Sequence, residues 1–381
     1  MTGYFDKFVD KGIGHLKNRP NILVCPLDWG IGHATRCVPL IRLLQERDVN
    51  VIIGAGGRSQ AFLKEEFPGL PVITFPGYRF KYPRNGKMAA RMLLQAPVIL
   101  SGIRREHRML ENLIDEHKIN AVISDNRYGL WSKKIPSVFL THQVFIKSSG
   151  SLKFLEPILF RVSRHYLNKY SEIWIPDAEA EENLSGELSH KEKLPGNYYF
   201  IGPQSRFAGV KTGSDPPEMK YDLLFLLSGP EPQRTVLSEK IKKQLEGENY
   251  HAVIVEGRPE ESSTKDLSPH VKVFSHLETD ILRQLILESR IIVSRPGYST
   301  IMDLATLGKK AVFIPTPGQT EQEYLAIKFM NERTFFSMPQ EIFDLKIALS
   351  ETGNYRGIKA LPSNNMLRSR IDNLIDRLEN G

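Results

Sequence analysis

The amino-acid sequence predicts an α/β protein of two Rossmann-like domains facing each other across a cleft. Three observations carry this expectation. The chain has 381 residues, more than one ordinary domain holds. Short buried-strand runs alternate with helical stretches, the pattern of parallel sheets covered by helices. One stretch rich in Gly, Pro and Ser, Gly202–Lys220, interrupts the alternation, which then restarts. The expected organisation is a lead-in over 1–20, an N-terminal domain over 21–205, a linker over 206–220, a C-terminal domain over 221–360 and a last helix over 361–381.

Composition narrows the class. Apolar residues make up 41% and charged residues 25%, as in soluble globular proteins. No apolar run approaches the roughly 20 residues of a membrane span. Residues 1–19 are polar and glycine-containing, without the apolar stretch of a secretory leader. The two cysteines, Cys25 and Cys37, fit a reducing cytoplasm, and neither has a Cys or His neighbour at zinc-ligand spacing. A net charge of +7 asks for an anionic partner: a nucleotide, a nucleic acid or a membrane surface.

In chain order, Asn21–Pro26 is a compact buried strand, Leu27–His33 a glycine loop, and about Thr35 to Arg47 a helix. Gly30 and Gly32 allow a tight turn and a close approach to the backbone. His33 ends the loop either as a catalytic base or as a structural helix-cap histidine. Val49–Gly54 and Val72–Phe75 are further strands, separated by Gly56–Ser59 and a helix to Phe67. Tyr78–Leu110 then holds eight basic residues (Arg79, Lys81, Arg84, Lys87, Arg91, Arg104, Arg105, Arg108) against one acid, Glu106. Met88, Met92, Leu93, Leu94, Val98, Ile99, Leu100 and Ile103 lie between them. Such a stretch is either a helix with a core side and solvated charges or an apolar stripe suited to an anionic membrane surface.

Asn120–Ser124 and Ser137–Thr141 are the next strands, ending in Asp125–Gly129 and in His142. Ligands of open α/β sheets collect at the carboxyl ends of strands, where His33, Asp125 and His142 would all lie. Phe145–Tyr170 is a second basic-apolar stretch, with Lys147, Lys153, Arg161, Arg164 and Lys169 against Glu156. Its apolar residues include Phe154, Leu155, Ile158, Leu159 and Phe160. Glu172–Pro176 and Tyr198–Ile201 complete the first domain.

The second domain restarts with the strand Asp222–Leu227 and the loop Ser228–Thr235 into a helix. Unpaired N–H groups there suit a diphosphate. Pro230 and Pro232 remove donors, so Gln233, Arg234 and Thr235 form the expected cradle beyond Ser228 and Gly229. Ala252–Glu256, Val271–Phe274, Ile291–Val293, Ala311–Ile314 and Thr334–Phe336 supply the other strands. The Ser275-His276-Leu277 loop is placed to cover a base. Between Ser294 and Ala326 lie the turn Ser294–Gly297, the polar residues Tyr298, Ser299 and Thr300, a helix closed by Gly308, the loop Pro315–Gly318 and a helix from about Thr320. Asp303, about two turns past the Gly297 turn, is placed to accept both hydroxyls of a ribose; it also fits an acid that complements a helix dipole. The last helix, Asn365 to Leu378, is amphipathic and expected to pack back across the domains.

Three segments, Gly30-x-Gly32-His33, Gly202-Pro203-Gln204-Ser205-Arg206 and Ser294-Arg295-Pro296-Gly297 with Asp303 and Gln322-Glu323, resemble nucleotide-sugar glycosyltransferases of the GT-B fold. The likeness is greatest to the N-acetylglucosamine transferases that act on lipid-linked peptidoglycan precursors. It implies an acceptor-binding N-terminal domain with Gly30 and Gly32 at its loop, and a donor-binding C-terminal domain. His33 would be the base that deprotonates the acceptor hydroxyl, with Asp125 orienting it and His142 a rival at the same rim. Donor contacts would come from Arg206 on the phosphates, the Ser228–Thr235 loop, His276, Leu277, Arg295, Gly297, Ser299, Thr300, Asp303, Gln319, Gln322 and Glu323. Two departures leave the sugar open: Glu323 stands where those enzymes have a second Gln, and Ala326 where they have Asn.

The expected activity is transfer from a UDP-hexose or UDP-N-acetylhexosamine to an acceptor hydroxyl, inverting by family resemblance. The chain has no Asp-x-Asp, so no metal is expected on the diphosphate, and no cofactor beyond the UDP-sugar co-substrate. The acceptor is expected to be lipid-linked if the two basic stretches share one membrane-facing surface on the cytoplasmic side; nucleic acid is not the expected partner. Two rivals stand beside this reading. A nucleotide-sugar epimerase of the same fold would use His33, Asp125 and His142 on both faces of the sugar. A non-catalytic nucleic-acid binder would explain the charge but lacks aromatic–basic platforms.

Overall fold

The computed structural model describes residues 19–77, 88–148, 150–209, 217–360 and 365–380. The N-terminal sheet is made by β1 (Asn21–Pro26), α1 (Gly32–Gln45), β2 (Asn50–Ala55), α2 (Gly57–Glu66), β3 (Val72–Thr74), α3 (Met88–Glu116), β4 (Ile119–Asp125) and β5 (Ser137–Leu140). It continues through α4 (Glu156–Leu167), β6 (Glu172–Ile175), α5 (Glu187–His190) and β7 (Tyr198–Phe200). Its order is β3-β2-β1-β4-β5-β6-β7, with every pair parallel. β1 reads NILVCP and β4 INAVISD, near-continuous apolar runs that suit strands covered on both faces.

The second sheet is made by β8 (Tyr221–Leu226), α6 (Gln233–Leu245), β9 (Ala252–Val255), β10 (Thr264–Ser268), β11 (Val271–Phe274), α7 (Thr279–Glu288), β12 (Ser289–Ser294), α8 (Tyr298–Leu307), β13 (Ala311–Phe313), α9 (Thr320–Asn331) and β14 (Phe336–Ser337). Its order is β10-β11-β9-β8-β12-β13-β14, parallel except for the edge strand β10. The sequence had not indicated β10, whose exposed, polar TKDLS carries no buried face to betray it. α10 (Leu345–Glu351) and α11 (Met366–Asn380) follow. α11 returns to the first domain, where Leu367, Ile371, Leu374 and Ile375 join a core with Val38, Ile41 and Leu44 of α1. Arg47 with Asp372 and Arg377 with Glu172 pin its flanks.

Several boundaries differ from expectation. α1 begins at Gly32 rather than Thr35, and so brings His33 into its first turn. The last strand is Phe336–Ser337 rather than Thr334–Phe336, because Thr334 N and Phe335 N both donate to Phe329 O at the end of α9. Gly308 takes the left-handed conformation, φ 63°, and its N–H donates to Leu304 O, ending α8 where the sequence places its cap.

The basic stretches divide. Arg79, Lys81, Arg84 and Lys87 lie outside the described residues, as do the side chains of Met88, Arg91, Met92, Leu93 and Leu94. Arg104, Arg105 and Arg108 are exposed on α3. Glu106, the acid among them, is fully buried, accepts from Arg127 Nη1 at 2.8 Å and is ion-paired with that buried arginine. Just before and along α4, Phe154, Ile158 and Val162 are 69%, 59% and 49% exposed at helical spacing, beside exposed Lys153, Arg161 and Arg164. No helix among the described residues is long and apolar enough to cross a membrane.

Candidate active site

The site grows from the carboxyl ends of β1, β4 and β5. β4 lies between the other two, with Asp125 opposite Pro26 on one side and Leu140 on the other. Asp125 is wholly buried, so its charge requires partners. α1 supplies them: His33 and Arg36, three residues apart, share one helix face. His33 Nδ1 lies 3.0 Å from Asp125 Oδ1. Arg36 donates from Nε to Oδ2 at 2.7 Å and from Nη2 to Oδ1. Cys37 Sγ donates to Oδ2 at 3.6 Å. Burial disfavours the Asp125 carboxylate, but the Arg36 and His33 charges outweigh it and hold the group well below the usual range. Burial lowers the His33 pKa, Asp125 restores part of it, and Arg36 lowers it again, so the imidazole is neutral near pH 7. Among the described residues nothing bonds to His33 Nε2.

His142, the rival base, is differently placed. Arg36 Nη1 donates to its Nδ1 at 2.9 Å. Its Nε2 sits 3.1 Å from Glu321 Oε1, an ion-pair distance without the angle of a hydrogen bond. Its ring stacks on Tyr298, centroids 4.0 Å apart and planes 4° off parallel. Both nitrogens face partners, which favours His33 as the group open to a substrate. Glu321 and Tyr298 belong to the second domain, so the contacts cross the cleft. Ser299 Oγ also crosses it, donating to Gly32 O at 2.6 Å. A side chain at residue 32 would put its Cβ 3.1 Å from that Oγ, so glycine permits the approach.

Across the cleft, Arg206 leaves the linker against the rings of Phe62 and Phe207. Its Nε is 3.6 Å from Asp303 Oδ2, and Nε and Nη1 are buried without hydrogen-bond partners. Asp303 accepts from Ser205 Oγ at 2.6 Å. Burial pushes its carboxyl up to about 6, against the opposing pull of Arg206 and Ser205. His276 follows β11 with Leu277; burial and then the Arg206 charge lower its pKa. Gly297 caps α8, whose first turn holds Ser299 and Thr300.

Other expected donor contacts are spent within the protein. Arg295 is wholly buried and donates from Nη1 to Ile314 O and Pro315 O and from Nη2 to Gln233 O, so it ties loops together rather than facing the cleft. Arg234 donates to Glu231 Oε1 at 2.9 Å and to Gly257 O, and Thr235 Oγ1 donates to Glu231 Oε2. An acid of the chain thus occupies the α6 N-terminus, where the sequence suggested a diphosphate cradle. Gln322 Oε1 accepts from Thr316 N and Glu323 Oε1 from Gly318 N, bracing the loop before α9, with Gln319 at its cap. Gln233 Oε1 accepts from Gln340 Nε2. Ser228 and Gly229 lie on the loop after β8, facing Thr316 across it.

Sequence reasoning missed Arg36, Thr316, Tyr298 and Glu321 as site residues. Arg36 carried one usable signal, a charge inside the continuously buried run Ala34–Val38. The cross-cleft roles of Tyr298 and Glu321 had none, since their partners come from the other domain.

Two parallel α/β domains meeting at their carboxyl edges, with a His–Asp pair on one rim, have the GT-B fold, the architecture of the solved glycosyltransferases that the chain resembles. Residues 231–341 match the glycosyltransferase family 28 C-terminal domain, and residues 21–135 match glycosyl transferase family 1, which makes the chain a transferase by its matched domains. An uncharacterized glycosyltransferase of Methanosarcina acetivorans is 22% identical over 311 residues, covering 77% of this chain and 79% of its own. The spinosyn rhamnosyltransferase SpnG, solved with thymidine diphosphate, superposes with a TM-score of 0.57 at 14% identity, covering 95% of this chain and 96% of its own. MurG of Acinetobacter baumannii superposes with a TM-score of 0.52 at 13% identity, covering 94% of this chain and 100% of its own.

Proposed function

We propose that this enzyme moves a hexosyl or N-acetylhexosaminyl group from a uridine-diphosphate sugar to an acceptor hydroxyl, with inversion and without a metal. The observation that carries the reading is the His33 imidazole at the rim, its Nδ1 3.0 Å from Asp125 Oδ1 and its Nε2 without a hydrogen-bond partner among the described residues. His33 Nε2 takes the proton of the acceptor hydroxyl as its oxygen bonds to the anomeric carbon. The bond from that carbon to the diphosphate breaks, and the leaving diphosphate departs from the opposite face. Asp125 stabilises the imidazolium that forms. Arg206 supports the growing diphosphate charge through its two unpaired donors. Asp303 receives the ribose hydroxyls once Ser205 yields.

The exposed Phe154, Ile158 and Val162, ringed by Lys153, Arg161 and Arg164, support a lipid-linked acceptor approached at a membrane surface on its cytoplasmic side. A panel of nucleotide sugars tests the donor, with released nucleotide and the anomeric configuration of the product as readouts. Transfer from a UDP-sugar with inversion is expected; a purine donor preferred over UDP, or retention, would overturn the reading. Sedimentation with anionic and neutral vesicles tests the surface. Salt-sensitive binding to anionic vesicles alone, weakened in Phe154→Ser, is expected, and equal binding to both removes the lipid reading.

A further inference from the structure

His33 and His142 stand at one rim, joined through a single guanidinium that touches both. Arg36 is 2% exposed, and each of its three nitrogens has an acceptor: Nε on Asp125 Oδ2, Nη2 on Asp125 Oδ1, Nη1 on His142 Nδ1. A guanidinium only donates. His142 Nδ1 must therefore present its lone pair to Nη1, which places the ring proton on Nε2, toward Glu321 Oε1. His33 Nδ1 is placed differently. It lies 3.0 Å from Asp125 Oδ1 and 2.9 Å from Arg36 Nη2, whose two hydrogens can serve that oxygen and the ring together, so Nδ1 faces both an acceptor and a donor. With its proton on Nδ1 the ring donates to the buried Asp125 carboxylate and leaves Nε2 with a free lone pair.

We propose that Arg36 is the positioning residue that keeps His142 from acting as the base, by holding its ring proton on Nε2, while Asp125 holds that of His33 on Nδ1. The inference deepens the transferase reading and rests on it only for the word base. His142 is kept from competing because its Nε2 carries a proton, and His33 is left able to accept one. The groups facing His33 are Asp125 from β4, Arg36 and Cys37 from α1, His142 after β5 and Glu321 from α9. Of these, Arg36 alone can reach both rings.

Nitrogen-15 NMR of histidine-labelled full-length protein reads the tautomers and titrations without any substrate. Failure to find a sugar donor therefore leaves this test standing. The expected wild-type spectrum shows His33 protonated at Nδ1 and His142 at Nε2. In Arg36→Met the His142 resonance should become a tautomer mixture and the His33 titration should move to higher pH, because a neighbouring positive charge is gone. In Glu321→Gln the His142 tautomer should be retained, since its cause is Arg36. A wild-type His142 protonated at Nδ1, or tautomers unchanged in Arg36→Met, or a His142 tautomer that flips in Glu321→Gln, overturns the proposal. Should Arg36→Met fail to fold, Arg36→Lys serves: one ammonium cannot span Asp125 and His142 together, so the same His142 mixture is expected.

Discussion

On the N-terminal rim both oxygens of Asp125 and all three nitrogens of Arg36 have partners, and the dyad stands assembled from its own domain. On the opposite rim Arg206 Nε and Nη1, His276 Nε2, Ser294 Oγ and Thr316 Oγ1 are buried without hydrogen bonds, as His142 Nε2 is on the first, and only longer ion-pair contacts run from Arg206 Nε to Asp303 and from His276 Nε2 to Glu65. Buried polar atoms without partners are uncommon and costly. The contrast separates two tasks. On the proposed reading, proton transfer falls to groups already fixed in orientation, as preorganised electrostatics requires. Donor binding falls on that reading to groups whose bonding a phosphate-bearing ligand would complete.

Replacing His33 by Ala attacks the assembled rim and should have the largest effect: turnover falls about 10²- to 10⁴-fold, the usual contribution of a general base. Donor affinity, followed by calorimetry, should stay as it was. An equal loss in His142→Ala with His33→Ala nearly silent would reverse the assignment of the two rings. Arg206→Met tests the unfinished rim. Losing hydrogen bonds from a charged donor should weaken UDP binding about 10- to 150-fold. Because two of its nitrogens make no hydrogen bond within the protein, the thermal midpoint should move little. A large drop in the midpoint would make Arg206 a structural residue like Arg295.

Asp303→Ala should weaken UDP binding by about 1–3 kcal/mol. Asp303→Asn sharpens the same point through stability. The folded-state pKa of about 6 lies above the ordinary 3.8, so the folded chain holds this proton more tightly than the unfolded one. Stability is therefore lost as pH rises from 3.8 through 6. Asn should relieve that loss in melts above pH 6 and change little below 3.8. The smallest effect concerns the rate profile. His33 has a lowered pKa, so kcat/KM should rise with pH to a plateau whose midpoint lies below 6.5. A midpoint above 6.5 would show the Asp125 charge dominating both burial and Arg36.

Much of this arrangement was legible from residues alone, and the rest was not, for reasons of range. Gly30-x-Gly32-His33 after NILVCP identified the first loop because local glycine chemistry and strand burial act within a few positions. Gly308 ended α8 for the same reason. Asp125, His33 and His142 were placed on one rim by the rule that ligands gather at strand ends. The partners of Arg36 lie 89 and 106 residues away, and only the assembled sheet shows them. Arg295 and Arg234 read as donor contacts because an arginine beside a turn looks alike whether it meets phosphate or backbone carbonyls. Glu231 decided the α6 terminus, and its reach back to Thr235 depends on the loop's path.

The return of α11 bears on how the chain acquires its structure. The first domain's apolar cluster takes Leu367, Ile371, Leu374 and Ile375 from beyond the entire second domain. During synthesis the surface of α1 around Val38, Ile41 and Leu44 must wait, uncovered, for about 15–65 s while the residues between Gln45 and Met366 are made at about 5–20 per second. Cooperative closure of the first domain is thus a late event, gated by completion of the second. Mutations at Leu374 or Ile371 should accordingly harm refolding yield from denaturant more than they harm the mature enzyme's chemistry.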